Sequence, residues 1–372
     1  MSKSIFGQDD SGGDVERVTL SAHGLALAVL SRGAIIQDFS IETANGSHPL
    51  VLGFPELTPY LSYARYFGAV VGRCANRIRA GEVRIEGNSY KLPLNEKGRT
   101  HLHGGVTGFS GRNWRFVEEG PDHVSLALHS PDGEEGYPGA VEVRCSYRLT
   151  RERRLIVELE AGSDRPTIIN LAAHSYFNLD GGPDILDHRL RIAADSYTPV
   201  DAELIPTGQI RPVADTALDF RQTRPVRDTA DTVRAVYDNN FCIAAAPAAE
   251  PRFAARLEGP ESGLALEVWS TEPGLQFYAG GNLDLPVVPR GARAGGPHAG
   301  LCLEPQRYPT PSTMRISPAR NCGPAPSTAK SRNTASLRVA GKPRARKWRA
   351  KAAAAFPARG AACRSRRRPR AV

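Results

Sequence analysis

Apolar and polar residues alternate with a period of two along much of this 372-residue chain. In VEVRCSYRLT, Val141, Val143, Cys145, Tyr147 and Leu149 fall on one face, and Glu142, Arg144, Ser146 and Arg148 on the other. That pattern predicts a half-buried strand. HVSLALHS (123–130), RLIVELEAG (154–162) and LALEVWS (264–270) repeat the theme. GNSYKLPL and PDGEEGYPG supply turn chemistry between such segments. Stretches with helical periodicity are scarce. Short strands punctuated by Gly and Pro over so long a run predict an all-β fold, a large antiparallel β-sandwich.

Beyond Tyr308 the alternation stops, and the charge changes with it. From Arg307 to Val372 there are 18 Lys and Arg and no Asp or Glu. The formal net charge of +9 therefore averages two unlike parts, because residues 1–306 hold 30 basic and 39 acidic residues. The last segment is built mainly from Ala, Arg, Pro, Ser and Gly, and resembles GC-rich coding sequence read in a shifted frame. Such a composition buries too little apolar area to offset the entropy of ordering. The expected organisation is a flexible N-terminus (1–14), one β-sandwich domain (15–308) and a disordered basic C-terminal tail (309–372). The tail's cations would bind polyanions non-specifically. With Trp348 and Phe356 as its only aromatic residues, no specific nucleic-acid partner is expected.

The six cysteines (74, 145, 242, 302, 322 and 363) are widely spaced, with no C-x-x-C, which argues against a disulfide framework and a structural zinc site. The opening residues contain no apolar signal-peptide core, and no run approaches the roughly 18 apolar residues that cross a bilayer. A cytoplasmic protein without a membrane partner is expected. Neither a P-loop nor a G-x-G-x-x-G motif is present.

Four clusters embed ionisable groups among small or apolar residues: GRCANRIRAG (72–81), THLHGG (100–105), AAHSYFNLDG (172–181) and GLCLEPQRYP (300–309). On a strand, Ala172, His174 and Tyr176 would share a face. Glu304 stands between Leu303 and Pro305, and a buried carboxylate is costly unless it faces a cavity or a partner. An ion pair with Arg77, without a catalytic task, is one such arrangement. His101 and His103 would share a strand face and could ligate one ion, yet GGVTGFSG offers no third ligand, so no metal site is expected.

GRCANRIRAGEVRIEGNSYKL, HLHGG, HSYFNL, YDNNFC, GLQFYAGGNLD and CLEPQRYP follow one another in that order. Together they resemble the aldose 1-epimerase family from about residue 15 to residue 309. The resemblance implies interconversion of the α and β anomers of free aldoses such as galactose and glucose, with no metal or organic cofactor. It implies that His174 is the general acid on the ring oxygen and Glu304 the general base on the C1 hydroxyl. By the same resemblance Arg77, His103 and Asp238 bind the sugar, Asn76 and Gln276 add contacts, and His101 has no special task. Asn239 stands where the family commonly has His. A small-molecule aldose is the implied partner. A carbohydrate-binding sandwich without catalysis and an epimerase of sugar phosphates are the alternatives. After EPQRYP the family's closing strand has no recognisable counterpart, so an unpaired sheet edge is expected there, with a tail that adds neither packing nor chemistry.

Overall fold

The structure is a computed structural model that describes residues 1–227, 237–309, 315–316 and 329–341. Three antiparallel sheets of five, nine and six strands build the sandwich. The five-stranded sheet is a meander of consecutive strands from Ser2–Gln8 to Gly46–Pro49. The six-stranded sheet runs Tyr176–Phe177, Leu301–Gln306, Gly274–Tyr278, Asp238–Cys242, Ser196–Thr198, Arg211–Pro212. The nine-stranded sheet includes the four segments whose alternation predicted strands.

In Val141–Leu149 the odd positions are buried while Glu142 and Arg148 are exposed, as the alternation predicts. The buried face joins one apolar cluster that draws on all three sheets. Phe39 comes from the first, Tyr147 and Leu159 from the second, Phe277 and Leu303 from the third. Each large side chain so buried contributes about 1.5–3 kcal/mol, which makes this shared interior the main favourable term. Tyr147 also donates its hydroxyl to the Ala34 carbonyl at 2.6 Å, so its burial leaves no polar atom stranded.

Two expectations about the chain's ends are corrected. Within residues 1–14, Ser2–Gln8 is a strand paired to Asp14–Ala22. Within residues 309–372, Ala329–Ala340 is a strand lying between Arg154–Ser163 and Ala265–Ser270 and bonded to both. The nine-stranded sheet therefore has a closing strand at the place where an unpaired edge was expected. The cause is tertiary: two facing strand edges carry backbone groups that need partners, and almost any sequence can supply them. Leu337 sits opposite both Leu155 and Val268, and Leu337 and Val339 enter the core. Arg332 reaches Glu158 and Glu160 on the neighbouring strand. The remainder of the expected tail (310–314, 317–328 and 342–372) lies outside the described residues.

Cys74, Cys145, Cys242 and Cys302 are free thiols. Among the described residues no helix is long and apolar enough to cross a membrane.

Candidate active site

The six-stranded sheet explains the run LCLEP. Leu301 and Leu303 point into the shared core, and the alternate residues Cys302, Glu304 and Gln306 occupy the opposite face. Gln276 pairs across from Glu304, and Tyr278 pairs across from both Cys302 and Asp238. This polar face forms the floor of a cleft of about 140 Å³. His174, Glu304, Arg77, His103, Asp238, Asn76 and Gln276, all seven residues expected from sequence, line that one cleft.

His174 lines the same cleft from a different part of the chain. The segment is not one strand, because Ala172–Ala173 and Tyr176–Phe177 are separate strands with His174 and Ser175 between them. Its backbone stays tethered, with His174 N–H donating to Ala69 at 2.9 Å and Gly68 N–H donating to the His174 carbonyl at 2.9 Å. The two-residue alternation survives the break: His174 and Tyr176 line the cleft, while Ala173, Ser175 and Phe177 line an interior cavity on the other side. The imidazole packs among Tyr66, Tyr176 and His103, with ring centroids 6.1, 5.1 and 5.2 Å away. Its Nε2 lies 3.6 Å from Glu304 Oε1.

Burial sets the protonation of this pair. It pushes the His174 imidazole down to about 4. It holds the Glu304 carboxyl well above the usual range, reinforced by the Asp238 charge and opposed by Arg77. Burial thus favours a neutral imidazole beside a neutral carboxylic acid.

Two loops supply the rest. In GRCANR, Arg73 is buried and spends its guanidinium on Ser130, Pro131, Pro138 and Gly139, so its role is to fix the loop. Asn76 and His103 both adopt left-handed backbone conformations, at φ 67° and 50°. Such a conformation costs a non-glycine residue about 1–3 kcal/mol. Here the two residues hold each other: His103 N–H donates to the Asn76 carbonyl at 3.1 Å, and Asn76 N–H donates to His103 Nδ1 at 3.2 Å. Because Nδ1 accepts, the neutral His103 carries its proton on Nε2 as a donor. Gly104 follows at φ 91°, and a Cβ there would lie 1.7 Å from the Gly72 carbonyl oxygen. Only glycine lets the two loops cross so closely.

The left-handed turn at His103 overturns the expectation that His101 and His103 share a face. His101 points away into the interior, between the Pro93 carbonyl at 2.8 Å and the Tyr137 hydroxyl at 2.6 Å. It is an ordinary, satisfied core histidine.

Arg77 is not the ion-pair partner of Glu304 that the sequence allowed. It makes a two-pronged contact with Glu96, at 2.8 and 2.9 Å, and reaches Asp238 at 3.4 Å. Thr100 closes the group with a 2.6 Å bond to Glu96. Asp238 accepts from Gln276 Nε2 at 2.6 Å, and Gln276 Oε1 accepts from Asn76 Nδ2 at 3.0 Å. Asn76 and Gln276 therefore spend these groups on the network that orients Asp238 and Arg77.

Glu96, Tyr66, Tyr278 and Cys302 are site residues that the sequence reading missed. Glu96 sits in a loop without periodicity, and the tyrosines look like core residues until the cleft is known. Cys302 was visible as the alternate neighbour of Glu304. Its Sγ lies 3.5 Å from His174 Nδ1. His174, Cys302 and Glu304 carry the donor atoms for a metal within 4.8 Å of one another. However, Cys302 addresses Nδ1 while Glu304 addresses Nε2, so the trio does not converge on one point as a tetrahedral ion requires.

The model of the aldose 1-epimerase family matches residues 16–314. Galactose mutarotase from Homo sapiens is 41% identical over 316 residues, covering 83% of this chain and 90% of that protein. Aldose 1-epimerase from Escherichia coli K12 is 33% identical over 306 residues, covering 80% and 88%. Among solved structures, a GalM/aldose epimerase homologue from C. elegans superposes with a TM-score of 0.79 at 26% identity, covering 88% of this chain and all of that one. Galactose 1-epimerase from Lactobacillus acidophilus NCFM gives 0.77 at 27% identity, covering 92% and 98%. The family match ends before the closing strand at Ala329–Ala340. With the family model spanning most of the chain and relatives at this identity across four-fifths of it, this chain belongs to the aldose 1-epimerase family of isomerases.

Proposed function

We propose that the protein interconverts the α and β anomers of free aldohexoses such as galactose and glucose by acid–base ring opening and reclosure. The observation that carries this reading is the pairing of His174 Nε2 with Glu304 Oε1 at 3.6 Å in the cleft. Glu304 takes the proton of the C1 hydroxyl while imidazolium His174 gives its Nε2 proton to the ring oxygen. The bond from C1 to the ring oxygen breaks and C1 becomes an aldehyde. Rotation about C1–C2 presents the other carbonyl face, and the reverse transfers close the ring. One proton enters and one leaves, so the cycle is balanced and needs no co-reactant.

Ring opening converts imidazolium and carboxylate into imidazole and carboxylic acid, the neutral pair that burial favours. The ionised pair must gain its stability from the bound sugar, whose hydroxyls can hydrogen-bond both charges. His103 Nε2–H and the Arg77–Asp238 group supply fixed donors and acceptors around the rest of the ring. A sugar-phosphate substrate fits less well. Arg77 is the one Lys or Arg among the described lining residues, and two carboxylates already hold it.

Polarimetry on freshly dissolved α-glucose and α-galactose tests the reading. The full chain should bring both to rotational equilibrium faster than buffer. Binding of either sugar without acceleration would instead support a carbohydrate-binding sandwich that lacks catalysis.

A further inference from the structure

We propose that Cys302 is a positioning residue for His174, its thiol serving as the uncharged acceptor that keeps a proton on Nδ1 and leaves Nε2 to do the exchange. This rests on the reading of His174 as the proton donor. Sγ lies 3.5 Å from Nδ1, and among the described residues it is the hydrogen-bond partner of that nitrogen. Both side chains are buried. The sheet fixes the sulfur, because Cys302 pairs with Tyr176 on one side and Tyr278 on the other. The strand's alternation then puts Cys302 and Glu304 on the same face, one toward each ring nitrogen.

The chemistry of the partner atom is what matters. An imidazole that shuttles a proton at Nε2 must carry its other proton on Nδ1 in both states, or Nε2 cannot accept the proton back at ring closure. A carboxylate at Nδ1 would enforce that tautomer, but its charge would stabilise imidazolium and make His174 a poorer acid. A thiol sulfur accepts weakly and adds no charge. Burial raises the Cys302 thiol well above its ordinary value, with Glu304 and Asp238 adding to the rise, so it remains S–H. Cys302 thus selects the tautomer without tying down the proton.

The test combines ¹⁵N NMR of the His174 ring with steady-state mutarotation in the full-length wild type, Cys302→Ser and Cys302→Ala. In wild type and Cys302→Ser, neutral His174 should show a protonated Nδ1 and a bare Nε2. Cys302→Ala should shift population toward the Nε2–H tautomer. In that variant kcat should fall by about 3–10-fold, the worth of one neutral hydrogen bond, with KM little changed. Cys302→Ser should restore kcat. A Cys302→Ala protein with the wild-type tautomer overturns the proposal, as does a wild type that carries its proton on Nε2. The NMR arm decides the point even if no mutarotation is found, so failure of the proposed activity and failure of the Cys302 role are read separately.

Discussion

The side-chain amide of Asn333 sits 3.0 Å from the carbonyl oxygen of Pro305, the residue that follows Glu304. The same amide donates to the Leu171 carbonyl at 3.1 Å, just ahead of His174 in the chain. One side chain of the closing strand thus joins the two segments that carry the proposed acid and base.

Replacing Asn333 by Ala removes that donor from two buried carbonyls. Urea denaturation should show a loss of about 1–3 kcal/mol, the cost of leaving buried polar groups unpaired. Ending the chain at residue 309 removes the whole strand and exposes two long edges, so cooperative unfolding should be lost. A truncated protein with wild-type stability would show the closing strand to be dispensable.

How far the sequence reached can be seen in three strands. Val141–Leu149 was readable because its large apolar residues alternate with charge over nine positions. In Leu301–Gln306 the alternation that sends Leu303 to the core and Glu304 to the cleft is present in the sequence. Ala329–Ala340 was not readable. Leu337 and Val339 are its only large apolar residues that enter the core, and its order comes from two neighbours far away in sequence. The seven cleft residues were found through motifs, whereas Glu96 was missed because its role exists only through Arg77. The pairing of His101 with His103 failed because alternation does not carry through a left-handed residue.

Arg77 and Asp238 should differ in their kinetic effects. Asp238→Ala removes a group held by Gln276 and Arg77 and should raise KM by about tenfold, the equivalent of 1.4 kcal/mol, with a smaller change in kcat. Arg77→Ala leaves Glu96 and Asp238 without their shared cation, which adds negative charge facing Glu304 and should lower kcat as well. Equal, small effects of both variants on both constants would contradict this division.

The contribution of His174 to stability should fall on acidification below about pH 6.5. His174 is pushed down to about 4 in the fold, while an unfolded His protonates near 6.5, so between those values the unfolded chain binds more protons. His103 and His101, also lowered by burial, act in the same direction. His174→Asn should make the slope of unfolding free energy against pH shallower across about pH 4–6.5. Glu304 has the opposite sign. Its raised value gives a contribution present below the ordinary carboxylate range and lost as pH climbs through the raised value, and Glu304→Gln should abolish that loss. Urea titrations at several pH values would check both, and an unchanged slope in His174→Asn would count against a buried neutral imidazole.

In the proposed reaction His174 and Glu304 exchange protons with the sugar across this cleft. The most direct measurement is the mutarotation rate of fresh α-galactose with wild type, His174→Asn and Glu304→Gln at matched concentration, after confirming that all three are folded. Each substitution keeps shape and hydrogen-bonding atoms but removes the titrating group. In each variant kcat should fall by about 10²–10⁴-fold, the usual worth of one general acid or base. Wild-type rates in either variant would return that residue to an ordinary buried side chain and rule out its part in the proton exchange.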